Sequence, residues 1–451
     1  MILRGPSGKV VRPTSGVSMT AHSAPDAQAD GAPTDLGAAS QDAPDLRIFV
    51  MGLFFIFGGI TSLNDVLIPK LKELFTLSHA DAMLVQSAFF VSYFIVSLPA
   101  AAVVRRFGYL RTAVIGLLTM TAGCLLFVPA SSAGTFVAFL LALFVLGAGI
   151  TTVQVVANPL ISMLGAPATA HSRLTFAQAF NSLGTTIFPY VGSILILGSL
   201  AATDASKLTG AALSAYRTQA THAVVLAYLG LAAGCAIVAL LVWLRRNRLV
   251  ETPLESVTFR HALNLLRDHR FGFGALCIFL YVGAEVSIGS LIVNYLEQTN
   301  VLGLAAEDAG KHVPYYWGGA MFGRFIGSAL LRLFSPGKVL AFAGAMNVLL
   351  LVISMTLVGP VSGWSLLAIG LFNSIMFPTI FSLASEGLGP RAAEGSGIIC
   401  VAIVGGAVVP RLTGLAVDWI NASDLKSGLF IPAICYLIIL AFGIFARRPK
   451  A

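Results

Sequence analysis

The sequence predicts an all-α integral membrane protein, with twelve transmembrane helices in two six-helix bundles. Three observations predict it. Hydrophobic residues make up 57% of the 451 positions and charged residues only 11%, with a mean hydropathy of +0.87. A soluble domain carries about 25% charged residues. The apolar residues come in runs of about twenty, the length that crosses ~30 Å of hydrocarbon as a helix, and not in the alternating segments of a membrane barrel. The basic residues, finally, are shared very unequally between the two sides that twelve crossings define.

The elements follow in order. Residues 1–46 are rich in Ala, Ser, Pro, Asp and Gly and read as a disordered tail. No apolar core follows their basic residues, so a cleaved signal peptide is not expected. An N-terminal bundle over 47–244 holds spans at 48–69, 80–104, 111–131, 134–164, 173–198 and 222–244. The polar, basic stretch 245–270 reads as a linker. A C-terminal bundle over 271–451 holds spans at 271–296, 312–334, 338–358, 362–386, 394–420 and 427–446.

An even number of crossings puts both termini on one side. That side takes twenty of the 28 Lys and Arg residues, among them Arg105, Arg106, Arg173, Arg245, Arg246, Arg248, Arg332 and Arg391. The other side takes Lys70, Lys72, Lys207, Arg217, Lys311 and Lys426. The positive-inside rule therefore places both termini in the cytoplasm of a cell with this protein in its plasma membrane, the inner membrane if the cell is bacterial. The net charge of +8 reports topology here, not a nucleic-acid partner.

The two halves resemble each other. Arg105-Arg106-Phe107-Gly108 with Arg111 precedes Arg332-Leu333-Phe334 with Lys338 by about 227 residues. Pro159 and Pro378 lie 219 apart, and Gly184 with Pro189 lies 221 before Gly405 with Pro410. Nearly constant offsets suggest duplication, which in membrane proteins goes with a central site between repeats.

Four charged residues fall within hydrophobic runs: Asp65, Glu285, Arg324 and Arg411. A charge at mid-bilayer costs about 2.5–3.5 kcal/mol on insertion scales, so such residues face a cavity, pair, or move with a cargo. Glu285, near the middle of the seventh span, is expected to pair with Arg324 or Arg411 or to exchange an ion. Gln86, Gln154, Asn158, Gln178, Asn181, Asn294 and Asn373 are intramembrane amides, each offering donors and an acceptor together. Tyr93, Tyr281, Tyr316 and Trp317 are candidate aromatic platforms, and Asn158-Pro159 is expected to interrupt the fourth span.

Several classes are excluded. The five cysteines lie in hydrophobic runs without metal-ligand spacing, and the histidines lie in the tail, loops or span edges. No Walker A stretch and no nucleophile–base pair stands out, so no enzyme, metal or cofactor is expected.

Particular stretches carry a family resemblance. They are Ser62-Leu63-Asn64-Asp65-Val66-Leu67-Ile68-Pro69, Gln86-Ser87-Ala88-Phe89-Phe90, Ala157-Asn158-Pro159 and Ala177-Gln178-Ala179-Phe180-Asn181-Ser182-Leu183-Gly184. The second half adds Tyr281-Val282-Gly283-Ala284-Glu285-Val286, Tyr316-Trp317-Gly318-Gly319, Gly323-Arg324-Phe325-Ile326-Gly327 and Phe377-Pro378-Thr379-Ile380-Phe381-Ser382. Over about 48–446 the chain resembles the major facilitator superfamily, in particular its fucose:proton symporter family with the glucose/galactose and N-acetylglucosamine transporter branch.

The resemblance implies cation-coupled import of a hexose or amino-hexose by alternating access. A proton is expected as the coupling ion, sodium second. It singles out Asp65 and Glu285 for ion coupling, and Asn64, Gln86, Gln154, Asn158, Gln178, Asn181, Asn294 and Trp317 for sugar. Arg324 and Arg411 are expected in gating or an ion pair. One departure stands out: the family's fourth-span glutamate is Gln154 here, and its seventh-span glutamine is Glu285, so the carboxylate has changed bundles. The alternative is a proton-coupled exporter of drugs or organic solutes on the same fold. The expected partners are a sugar and the bilayer, with the chain acting as a monomer.

Overall fold

The computed structural model describes residues 44–75, 84–192, 210–249, 262–421 and 424–448. Residues 1–43 of the expected tail and 250–261 of the expected linker lie outside these. The first helix already begins at Pro44 (Pro44–Phe75). The next four spans are Leu84–Phe107, Tyr109–Leu125 continued by Phe127–Ala133, Phe136–Met163 and Ala170–Gly192. The sixth, Gly210–Leu244, completes the first bundle.

The second bundle has His269–Glu297, Val313–Leu333 and Pro336–Thr356 as spans seven to nine. The tenth is split into Pro360–Asn373 and Met376–Ser385, and the eleventh into Ala392–Ala402 and Gly405–Asn421. Phe430–Phe445 is the twelfth. Over the described residues, ten of the spans are long and apolar enough to cross a bilayer. The described parts of the fifth and eighth are long enough but more polar, and these two pack against each other across the interface between the bundles. The spans predicted continuous at 362–386 and 394–420 are therefore broken near their middles. The fourth span, where a break was expected at Asn158-Pro159, runs unbroken.

The duplication is visible in the packing. Span five packs on span one, and span eleven on span seven. At the first crossing a Cβ on Gly184 would lie 2.1 Å from the Phe55 carbonyl; at the second, a Cβ on Gly405 would lie 1.9 Å from the Phe279 carbonyl. Neither helix pair can approach so closely with any larger residue. Helix ends repeat as well. Arg47 Nε donates to the Leu164 carbonyl at 2.9 Å, and Arg270 Nε to the Leu383 carbonyl at 2.9 Å. In both halves a basic residue entering the first helix of a bundle caps the last carbonyls of its fourth, where the helix dipole also favours a cation. Arg173 adds donors to the carbonyls of Ser162 and Ala166, at 2.6 Å each.

Replacing Gly184 with Leu is expected to overpack the first crossing by about 1–3 kcal/mol or more, whereas a Cβ on Gly414 meets nothing within 4 Å. Thermal unfolding in detergent should show a clear loss of Tm for Gly184→Leu and little change for Gly414→Leu.

Candidate functional site

Proline removes the N–H that would bond the carbonyl four residues earlier. Inside a bilayer that carbonyl needs another donor. Pro159 frees the carbonyl of Val155, which accepts from Ser396 Oγ of the eleventh span at 2.8 Å. Pro378, its counterpart, frees the carbonyl of Ser374, which accepts from Arg324 Nε at 3.1 Å. The first of these bonds joins the two bundles directly. In the second, the same guanidinium also reaches across the interface, to the Gln178 carbonyl at 3.4 Å and to Ser182 Oγ in the fifth span.

Ser182 stands twelve residues into its helix, ~18 Å from the helix start at 1.5 Å per residue. Arg324 therefore holds the bundles together at mid-depth. It does not snorkel to an end.

Glu285 lies half-buried on the seventh span beside this contact. Tyr281 Oη lies 2.7 Å from Glu285 Oε1 and 3.1 Å from the Asn373 carbonyl, which sits at the break in the tenth span. The Asn373 side chain is itself fixed: its Nδ2 donates to Tyr316 Oη at 2.8 Å, and its Oδ1 accepts from Asn347 Nδ2 at 2.7 Å. Arg324 is the cation whose charge acts on Glu285, yet the two form no direct ion pair. The expected Glu285–Arg324 pair is therefore an interaction through space, with each group hydrogen-bonded elsewhere. Arg411 is exposed and takes no part in it.

The first bundle presents amides. Tyr93 Oη donates to Gln154 Oε1 at 2.7 Å, and Gln178 Nε2 to Asn158 Oδ1 at 3.4 Å. Asn158 is fully buried, and its Nδ2 has no hydrogen-bond partner. A buried donor left unmade costs about 1–3 kcal/mol. Asn181 is committed instead to the Phe54 carbonyl at 3.3 Å. Trp317 is 45% exposed and meets Tyr316 edge-on at 5.0 Å. Asn294 is exposed, nine residues beyond Glu285 and thus ~13 Å further along the helix. Asn64, Asp65 and Gln86 lie on the first two helices, with side chains outside the described residues.

Bonds between the bundles gather at the end that carries Arg105, Arg332 and Arg391. Glu394 pairs with Arg105 of the second span and with Arg391, 3.1 Å away. Glu386 pairs with Arg270 and with the His171 Nε2 at 3.1 Å, while His171 Nδ1 lies 2.6 Å from Ser382 Oγ. Arg332 Nε donates to Ser172 Oγ at 3.0 Å, and Ser172 donates to the Ser328 carbonyl at 2.7 Å. Beyond Arg324, the 4.0 Å contact of Thr186 Oγ1 with Met321 Sδ continues the series. One end is thus latched.

Sequence reasoning missed this latch, with Ser182, Ser374, Ser396, Asn347, His171 and Glu386. Only the pair Pro159 and Pro378 pointed to part of it, through the carbonyls four residues before each.

Two linked bundles, a latched end and polar groups at mid-depth define a membrane transporter of the two-bundle type. The comparisons agree. The family model of the Major Facilitator Superfamily matches residues 50–410, and the chain belongs to that superfamily; it is an integral membrane transporter, not an enzyme.

The chain is 47% identical over 396 residues to a glucose/galactose transporter of Brucella abortus, covering 88% of this chain and 92% of that one. It is 32% identical over 425 residues to the L-fucose-proton symporter of Escherichia coli, covering 91% and 96%. Among solved structures it is similar to FucP, a Major Facilitator Superfamily transporter in the outward conformation. The TM-score is 0.83 and the identity 31%, over 90% of this chain and 99% of that one.

Neutralising Glu394 should loosen the latch, because Arg105 and Arg391 then lose their carboxylate; breaking a buried pair costs about 3–5 kcal/mol. In a cysteine-free background carrying Ser328→Cys, Glu394→Gln is expected to speed labelling by a membrane-impermeant maleimide added to the Arg105 side.

Proposed function

We propose that this protein imports a hexose by symport with a proton. The bundles would rock so that the site opens first to the outside and then to the cytoplasm, where both termini and the latched end lie. One observation carries the reading: an intramembrane carboxylate, Glu285, stands beside the arginine that bridges the bundles at mid-depth. The names of the relatives, glucose/galactose transporter and L-fucose-proton symporter, support a neutral sugar as cargo and a proton as driver.

The chemistry fits both. A sugar hydroxyl or ring oxygen offers the acceptor that Asn158 Nδ2 lacks, and the Gln154 and Gln178 amides behind it supply further donors and acceptors. Trp317 offers an apolar ring for a sugar face. Glu285 can take up a proton where the site is open to the outside and lose it where the site is open to the cytoplasm. Its charge acts on Arg324, and the load on the bridge between the bundles therefore changes with its proton.

Asp65 is proposed as the first acceptor on the outer path, and Asn64, Gln86 and Asn181 as supporting polar groups. Asn294 would meet the sugar near the outer mouth. Arg411 is proposed as a charge on the opening face of the eleventh span. Glucose, galactose and N-acetylglucosamine differ only in where their substituents stand, and a panel of radiolabelled sugars on reconstituted protein separates them.

Uptake into proteoliposomes tests the driver. A proton gradient imposed alone should accumulate hexose, and a sodium gradient alone should not. Glu285→Gln is expected to abolish accumulation by about tenfold or more, with sugar exchange at equal concentrations preserved. Accumulation that survives Glu285→Gln would remove the carboxylate from coupling.

A further inference from the structure

The Tyr281 hydroxyl has one proton and two acceptors. Glu285 Oε1 is 2.7 Å away and the Asn373 main-chain carbonyl 3.1 Å away. Asn373 is the last residue of the first half of span ten; residues 374–375 are not helical, and the second half starts at Met376. Tyr281 is a side-chain donor to the Asn373 carbonyl, reaching it from another helix. The next carbonyl in the break, that of Ser374, is the one freed by Pro378 and held by Arg324.

We propose that Tyr281 is a positioning residue that reports the protonation state of Glu285 to the break in span ten, and through it to the bridge made by Arg324. The inference rests on the proton-symport reading above and names a part of the coupling that the reading leaves open.

The logic is a competition for one hydrogen bond. When Glu285 is ionised, charge-assisted bonding draws the Tyr281 proton to the carboxylate, since bonds to ionised acceptors are roughly twice as strong as neutral ones. The Asn373 carbonyl then loses its bond from span seven. When Glu285 is protonated, its own O–H donates to Tyr281 Oη, and the Tyr281 proton turns to Asn373. Only in this second state does span seven hold the break in span ten. No bond other than hydrogen bonds changes, and the proton stays on Glu285.

The surroundings make the switch one of few moving parts. Asn373 is clamped by Tyr316 of span eight and Asn347 of span nine, so a change at its carbonyl has little slack to dissipate in. Among the described residues, the charged and titratable groups around Glu285 are Arg324 and Tyr316 from span eight, Tyr436 from span twelve and Tyr281 itself. Span ten contributes neutral carbonyls, and Arg411 and Asp418 of span eleven are exposed. Tyr281 is fully buried, so a phenylalanine keeps its packing and removes only the switch.

The test compares wild type, Tyr281→Phe, Glu285→Gln and the double variant in proteoliposomes, with radiolabelled D-glucose and D-galactose as probes. Counterflow is followed from acid to alkaline pH, and accumulation is driven by a proton gradient. Tyr281→Phe should keep counterflow, lose about tenfold in accumulation and flatten the pH profile of exchange as Glu285→Gln does. The double variant should be no worse than Glu285→Gln alone, because Tyr281 acts through that carboxylate. A Tyr281→Phe protein with the wild-type pH profile, or a double variant worse than Glu285→Gln, would overturn the switch while leaving proton symport standing. Full accumulation by Glu285→Gln would overturn symport through Glu285 and the switch together.

Discussion

A carbonyl that has lost its backbone donor inside a bilayer must find another, and in this protein two such carbonyls find theirs in groups that link the bundles. Pro159 and Pro378 sit at matching positions of the two repeats. Each leaves an acceptor four residues earlier, on Val155 and on Ser374. Ser396 answers the first from the opposite bundle. Arg324 answers the second and extends to Ser182 of the opposite bundle. Helix imperfections that would weaken either half alone thus become the places where the halves meet. Hydrogen bonds of this kind are each worth about 1 kcal/mol net and can be exchanged singly.

The charges are arranged on the same plan. At the latched end, Glu394 and Glu386 each serve two basic partners, so that closing the end buries carboxylates already neutralised. A few turns further in, Arg324 bonds only neutral oxygens, although Glu285 is near enough to act on it. An arginine held by neutral acceptors, with a carboxylate close by, responds to whether that carboxylate carries a proton. The fifth and eighth helices carry this contact.

Much of the fold was legible in the sequence for a simple reason: hydrocarbon thickness fixes span length, and the twelve apolar runs show it directly. The repeat was legible too, because glycines at tight crossings and prolines at bends tolerate few substitutes, and Gly184, Gly405, Pro159 and Pro378 kept their spacing. Where the breaks fall was not. Pro159 read as an interruption and Pro378 only as its repeat counterpart, yet the fourth span stays whole while the tenth opens at residues 374–375. The difference lies in what surrounds each proline, with Asn347, Tyr316 and Tyr281 gathered about Asn373 from three other helices. Glu285 and Arg324 announced themselves as charges in oil. Ser182 and Ser396 did not, because serine is an ordinary residue of membrane helices and acquires meaning only from the acceptor opposite, and Tyr281 read as an aromatic platform, not as a hydrogen-bond donor.

Restoring the missing backbone donors tests the central claim most directly. In a Pro159→Ala, Pro378→Ala double variant, the Val155 and Ser374 carbonyls can bond within their own helices and no longer need Ser396 or Arg324. Electron–electron resonance distances between spin labels at positions 169 and 335, on facing ends of the latched side, would show the outcome. The account predicts one short, narrow distance in the wild type and a longer, broader distribution in the variant. An unchanged narrow distance would show that the bundles are held together without help from the prolines, and would contradict it.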